Sequence, residues 1–167
     1  MTIENNIILS HEEIQHKIRR IGYQIYESNL DEDEIIIAGI ANNGYVFAKK
    51  LKKVLEKISG KNVVLCKVTI DKKNPQKEVV TSLDEDSYKE KSVVLVDDVL
   101  NSGTTLIYGV KHFLNVPLKQ FKTAVLVNRN HKKYPVKADF KGLSLSTTLQ
   151  EHIRIVLDGK KMHALLE

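Results

Sequence analysis

Val93-Val94-Leu95-Val96-Asp97-Asp98-Val99-Leu100-Asn101-Ser102-Gly103-Thr104-Thr105 is the stretch that decides how this chain is read. Four apolar residues lead through two carboxylates into a small polar loop. The apolar run reads as a buried strand, and the loop opens a helix predicted from about Thr104 to Leu114. In an open parallel sheet, ligands bind beyond the carboxyl ends of the strands. The free backbone N–H groups of a helix start, with the helix dipole, suit a phosphate. Gly103 allows close backbone approach, and Ser102, Thr104 and Thr105 add hydroxyl donors. Asp97 and Asp98 would repel a phosphate. They suit the hydroxyls of a sugar, or a hydrated Mg²⁺. An Asp-Asp pair alone would be an ordinary capped strand-to-helix turn; the whole run is far more specific.

Working outward, Ser10 with Glu13 forms a capping-box pattern. Ile14, Ile18, Ile21 and Ile25 follow at helical spacing, which predicts a helix over about Ser10–Ser28. Asp31–Glu34 is an acidic loop. Ile35–Ile40 is a continuous apolar run, as expected of a parallel strand buried on both faces. Ala41–Gly44 is a turn, and Phe47, Leu51, Val54, Leu55 and Ile58 mark one face of the next helix. Asn62–Ile70 reads as a strand. Asp71–Glu90 is long, charged and poor in core residues, which suggests a lid. Thr123–Val127 is a further strand, and two short strands are predicted near Ala138–Lys141 and His152–Leu157. Strands alternating with helices predict an α/β fold with a mostly parallel sheet. No linker or repeat divides the chain, so one domain over 1–167 is expected.

The composition agrees. Hydrophobic residues make up 42% of the chain, enough for a core, and a net charge of +5 favours anionic ligands without choosing between a small phosphate compound and a nucleic acid. Cys66 is the one cysteine, so a disulfide framework and a cysteine metal cluster are both excluded within one chain. Met1–Leu9 lacks a basic segment followed by a long apolar run, and no apolar stretch approaches a membrane span; a cytoplasmic protein is expected. There is no Walker loop and no Gly-x-Gly-x-x-Gly. His11 and His16 are five apart and do not share a helix face, so they read as a solvated helix start and not a zinc pair.

The Val93–Thr105 loop closely resembles the signature of type I phosphoribosyltransferases for phosphoribosyl pyrophosphate (PRPP). Ile36-Ile37-Ala38-Gly39-Ile40-Ala41-Asn42-Asn43-Gly44 resembles the strand and pyrophosphate loop of that family. Ala124–Gly142, with Asn128-Arg129-Asn130-His131, resembles the base-site half of the branch containing the bifunctional pyrimidine-operon attenuator/uracil phosphoribosyltransferases. The resemblance covers nearly the whole chain. It implies the type I phosphoribosyltransferase fold: a mostly parallel central sheet flanked by helices, a mobile flap and a small C-terminal base-binding hood.

It also implies roles. Asp97 and Asp98 are the catalytic acids and hold the ribose hydroxyls, directly or through Mg²⁺ and its water. Asn101, Ser102, Gly103, Thr104 and Thr105 anchor the 5′-phosphate. Ala41, Asn42, Asn43 and Gly44 receive pyrophosphate, and the base lies near Asn128, Phe140, Leu149 and Gln150. The implied partners are PRPP and a nucleobase, with a pyrimidine such as uracil ahead of a 6-oxopurine, and the implied assembly is a homodimer. An RNA-binding regulatory role, using Arg19, Arg20, His131, Lys132 and Lys137, ranks behind catalysis. The chain departs from the branch at Asn42-Asn43, where Thr-Arg is usual, and at Asn101 and Thr104, where Tyr and Arg are usual. The 6-oxopurine enzymes generally carry an Asp at the position of Asn101.

Overall fold

The computed structural model describes residues 6–167; the first five residues of the expected 1–167 domain lie outside that range. The elements are β1 (Ile7–Leu9), α1 (His11–Glu27), β2 (Glu34–Ile40), α2 (Asn43–Ser59), β3 (Asn62–Thr69), β4 (Val80–Thr81), α3 (Glu85–Tyr88), β5 (Ser92–Leu100), α4 (Thr104–Phe113), β6 (Gln120–Asn128), β7 (Phe140–Ser144), β8 (Ile153–Val156) and β9 (His163–Leu166). Six strands form the main sheet in the order β4-β3-β2-β5-β6-β7. All pairs from β3 to β7 are parallel, and β4 joins antiparallel at one edge. A three-stranded antiparallel sheet, β1-β9-β8, stands beside it.

The central strands show why continuous apolar runs were needed. Side chains alternate across a strand. Ile35 and Ile37 of β2 and Val94 and Val96 of β5 enter the core beneath α1 and α2. Their neighbours Ile36, Ala38, Val93 and Leu95 enter the opposite core, beneath α4. The Ser10–Glu13 capping box is present, and Ile14, Ile18, Ile21 and Ile25 are buried as their spacing predicts. Gly60, at φ 65°, closes α2 in the left-handed conformation that favours glycine.

The sheet order reverses at β2 and β5. The chain moves outward from β2 to β3, then returns to the other side of β2 and proceeds to β6 and β7. Adjacent carboxyl ends at such a reversal leave a crevice where a ligand can sit.

Three expectations are corrected. Asp71–Glu90 is not a lid throughout, because its second half is packed structure. Val80–Thr81 pairs with β3, Val79 and Leu83 pack on the α4-side core, and Tyr88 is fully buried with its ring 4.9 Å from Phe113. These few apolar anchors were hidden among charges. Trypsin should therefore cut at Lys72, Lys73 or Lys77 well before Lys89, and PRPP with Mg²⁺ should slow that first cut. Equal early cleavage at Lys89 would show that the packed half opens freely. His11 is not merely solvated: its Nδ1 accepts the Met162 N–H at 2.9 Å, tying α1 to the β8–β9 turn. Asp97 and Asp98 are strand residues, because β5 continues pairing with β6 as far as Leu100.

Candidate active site

The carboxyl end of β5 turns directly into α4, so the same few residues supply both acids and the helix start. They line a cavity of about 100 Å³ with Asp97, Asp98, Asn101, Ser102, Gly103 and Thr105, and Lys72 reaches it from the loop before β4. Asp97 is 4% exposed. Its Oδ1 accepts the Asp98 N–H at 2.9 Å, and Asp98 Oδ1 accepts the Val99 N–H at 2.9 Å. Burial, and then the neighbouring Asp98 carboxylate, push the Asp97 carboxyl well above the usual carboxylate range, with Lys72 opposing. A buried anion in this state gains from a nearby cation. Among the described residues, no three His, Cys, Asp or Glu side chains could hold a metal by themselves. Two carboxylates fit Mg²⁺, which takes its remaining ligands from phosphates and water.

The loop from Asn101 to Thr105 is held from outside. Gly103 adopts φ 86° as the residue before α4, with no side-chain cap bond. The Ser102 carbonyl accepts the Lys133 N–H at 2.7 Å and the Tyr134 N–H at 3.2 Å. Ser102 Oγ lies 2.8 Å from Thr104 Oγ1. These hydroxyls stand beside the first N–H groups of α4, which have no partner within the helix.

The loop after β2 meets the same cavity from the neighbouring strand. A Cβ at Gly44 would lie 2.8 Å from the Val96 carbonyl oxygen and 3.0 Å from Asp97 Cα, so only glycine lets α2 begin this close to β5. Asn43 Nδ2 donates to Asp98 Oδ2 at 3.2 Å and to the Ile155 carbonyl at 2.9 Å, joining both acids' strand to β8. The Ala41 N–H is donated to the Val68 carbonyl at 2.8 Å. Ala41 therefore anchors the loop to β3, and its amide is not free for pyrophosphate. The N–H groups of Asn43 and Gly44 begin α2 and lack intrahelical acceptors.

The base-side residues are only partly brought together. Asn128 lies at the end of β6, but its side chain closes its own turn: Oδ1 accepts the Asn130 N–H at 3.2 Å and Nδ2 donates to Asn130 Oδ1 at 3.1 Å. Phe140 packs against the α1-side core, so its ring is not a free stacking surface. Leu149 is 87% exposed and Gln150 is also exposed. Sequence reasoning passed over Arg129, which is 7% exposed and central here. Its Nε donates to Thr147 Oγ1 at 2.9 Å, its Nη1 to Asn101 Oδ1 at 3.0 Å and its Nη2 to the Thr148 carbonyl at 3.2 Å. Nη2 also donates to the Glu151 carbonyl at 2.5 Å. One guanidinium thus ties the β5–α4 loop to the segment between β7 and β8. The available signal was a cation two residues after the apolar run Ala124–Val127, at the same carboxyl end of the sheet as the acids.

Comparison with known proteins agrees with this geometry. A family model described as the phosphoribosyl transferase domain matches residues 4–158. The chain is 31% identical to the Bifunctional protein PyrR of Fusobacterium nucleatum, over 96% of this chain and 97% of that protein. It is 32% identical to the Bifunctional protein PyrR of Clostridium acetobutylicum, over 91% and 90%. In fold, it is similar to the hypoxanthine phosphoribosyltransferase of Trypanosoma cruzi, with a TM-score of 0.77, 16% identity and coverage of 96% of this chain and 95% of that one. A hypoxanthine-guanine phosphoribosyltransferase from Bacillus anthracis gives 0.73 at 22% identity, covering 89% and 84%. Two acids and a phosphate-ready helix start at the sheet's switch point, together with a domain match over most of its length, place this chain in the phosphoribosyltransferase family.

Proposed function

We propose that this enzyme transfers 5-phosphoribose from PRPP to a ring nitrogen of a nitrogenous base, a pyrimidine such as uracil, with pyrophosphate leaving. The observation that carries the reading is that Asp97, Asp98, Asn101, Ser102, Gly103 and Thr105 line one cavity, which supports acids on the sugar and loop donors on the phosphate. Asp97 and Asp98 accept the ribose hydroxyls. Asn101–Thr105 hold the 5′-phosphate through hydroxyls and the amides of α4. Asn42, Asn43 and Gly44 face pyrophosphate, with Asn43 also steadying Asp98. Positioning and charge stabilisation account for most of the rate, because the developing charge at C1′ is met by fixed groups. Mg²⁺, when bound at Asp97 and Asp98, supplies charge neutralisation for the departing pyrophosphate. The segment 71–79 closes over the cavity and excludes water. A homodimer in the cytoplasm completes the proposal; no helix among the described residues is long and apolar enough to cross a membrane.

The pyrimidine assignment rests on the resemblance of residues 124–142 to the uracil-using branch, and the alternative is a 6-oxopurine. A second reading, RNA binding, draws on a groove of about 750 Å³ between α1 and α2, where Arg19, Lys50, Lys53 and Lys57 gather. Pyrophosphate release with PRPP, Mg²⁺ and a panel of free bases tests the first reading, and filter binding of structured and random RNAs at near-physiological salt tests the second. Turnover with uracil and only weak, salt-sensitive RNA binding are expected. Tight binding to one hairpin, lost on Arg19→Ala with Arg20→Ala, would make regulation primary.

A further inference from the structure

A base that is to be ribosylated must lose the proton on its reacting nitrogen, and the cavity offers few groups that could take it. Lys72 is a donor. Asp98 has both oxygens engaged, one by Val99 and one by Asn43, and Asp97 is buried beneath it. Position 101 is the next polar side chain along the cavity, and its orientation is fixed by chemistry. A guanidinium has donors and no acceptor, so the atom of Asn101 that faces Arg129 Nη1 at 3.0 Å must be the carbonyl oxygen. What remains for a ligand is the NH₂. Arg129 is held in place by three further contacts to Thr147, Thr148 and Glu151, all to neutral oxygens, so no carboxylate in this bridge compensates its charge. The other titratable groups around it are His131, whose Nε2 is hydrogen-bonded to the Thr147 carbonyl, and Glu151, whose carboxylate accepts the Thr148 N–H at 2.6 Å.

We infer that Arg129 is a positioning residue that locks the Asn101 amide with its donor toward the base, and that this enzyme takes its base as the ring-nitrogen anion. This rests on the base-accepting reading above. The ring proton leaves to solvent before the base docks. The nitrogen lone pair then forms the bond to C1′ while the C1′–O bond breaks and its electron pair leaves with pyrophosphate. A donor from Asn101 and the nearby positive charge of Arg129 favour the anion, and neither can remove a proton.

The test is kcat/KM for uracil and 5-fluorouracil, whose ring N–H is more acidic, measured by pyrophosphate release over roughly pH 6–9. For the wild type, each curve should rise about tenfold per pH unit below the ionisation of its own base, so that the fluorouracil curve lies at lower pH. Asn101→Asp keeps one oxygen on Arg129 and offers the other as a proton acceptor; it should flatten the rise and merge the curves. Arg129→Met frees the amide to turn, and should raise KM for the base by a larger factor than KM for PRPP, since the same bridge also steadies the loop from Asn101 to Thr105. If that variant does not fold, Asn101→Asp, an exposed loop change, still decides. Coincident wild-type curves overturn the inference, as does loss of the rise in His131→Gln. If only purines react, the pyrimidine assignment fails, and the same comparison is made with hypoxanthine and the more acidic 8-azahypoxanthine. No turnover with either set overturns both readings.

Discussion

Replacing Asp97 and Asp98 together with Asn is expected to lower turnover by at least about 10²–10³-fold and to weaken PRPP binding measured by calorimetry. The Asp97→Asn change alone should, at the same time, make the ligand-free protein more stable at neutral pH. Asp97 is buried, and its carboxyl is held well above the usual carboxylate range by that burial and by Asp98. An acid whose pKa is raised on folding binds its proton more tightly in the native state. Stability is then highest below the unfolded value and falls as pH rises toward the folded one; above it the full penalty remains. Asn cannot ionise, and its Oδ1 can still accept the Asp98 N–H. Urea unfolding should show the variant ahead by about 1–2 kcal/mol at neutral pH, with the gap closing in acid. Unchanged PRPP affinity in the double variant would remove both acids from the ribose. A variant less stable than wild type at neutral pH would mean that the carboxylate is compensated without ligand.

Gly44→Val should damage folding and chemistry together. The added carbons meet the Val96 carbonyl and the Asp97 backbone, which belong to the central strand and cannot step aside like a side-chain tip. Overpacking of this kind costs about 1–3 kcal/mol. Displacing the α2 start by about an ångström should also cost about 10²-fold in kcat/KM, because it carries both the pyrophosphate amides and Asn43. Gly60→Ala is the useful contrast. Nothing lies within 4 Å of its added carbon, but φ is 65°, so it should lose stability through backbone strain and leave turnover near wild type. Full activity in a folded Gly44→Val protein would show that the close approach of α2 to β5 is dispensable.

The sheet was legible in the chain because burial on two faces demands long apolar runs. Ile35–Ile40 and Val93–Val96 form central strands, and the small polar residues after Leu100 form the turn into α4. What escaped was whatever depends on distant partners. Arg129 reaches Asn101, Thr147 and Glu151 across separations of 28, 18 and 22 residues, and no local spacing announces such a bridge. Ala41 resembled the rest of the pyrophosphate loop until β3 was seen to claim its amide. Tyr88 stood in a charged stretch where one aromatic gives no periodicity, so packed structure passed for a lid. Phe140 was placed near the base by resemblance, but its half-buried side chain packs against the α1-side core.

On the proposed reading, the order of the strands separates the sugar side of the site from the base side. Asp97, Asp98, Asn43 and Gly44 are built on β2, β5 and the start of α2, where both cores are anchored and almost any substitution has structural consequences. The acceptor side hangs from β6, the edge strand β7 and the exposed stretch that follows. Changes there can accumulate without disturbing the donor machinery. Such a scaffold is tolerant at one margin: the segment beyond β7 can vary in sequence while the two cores around β2 and β5 stay intact.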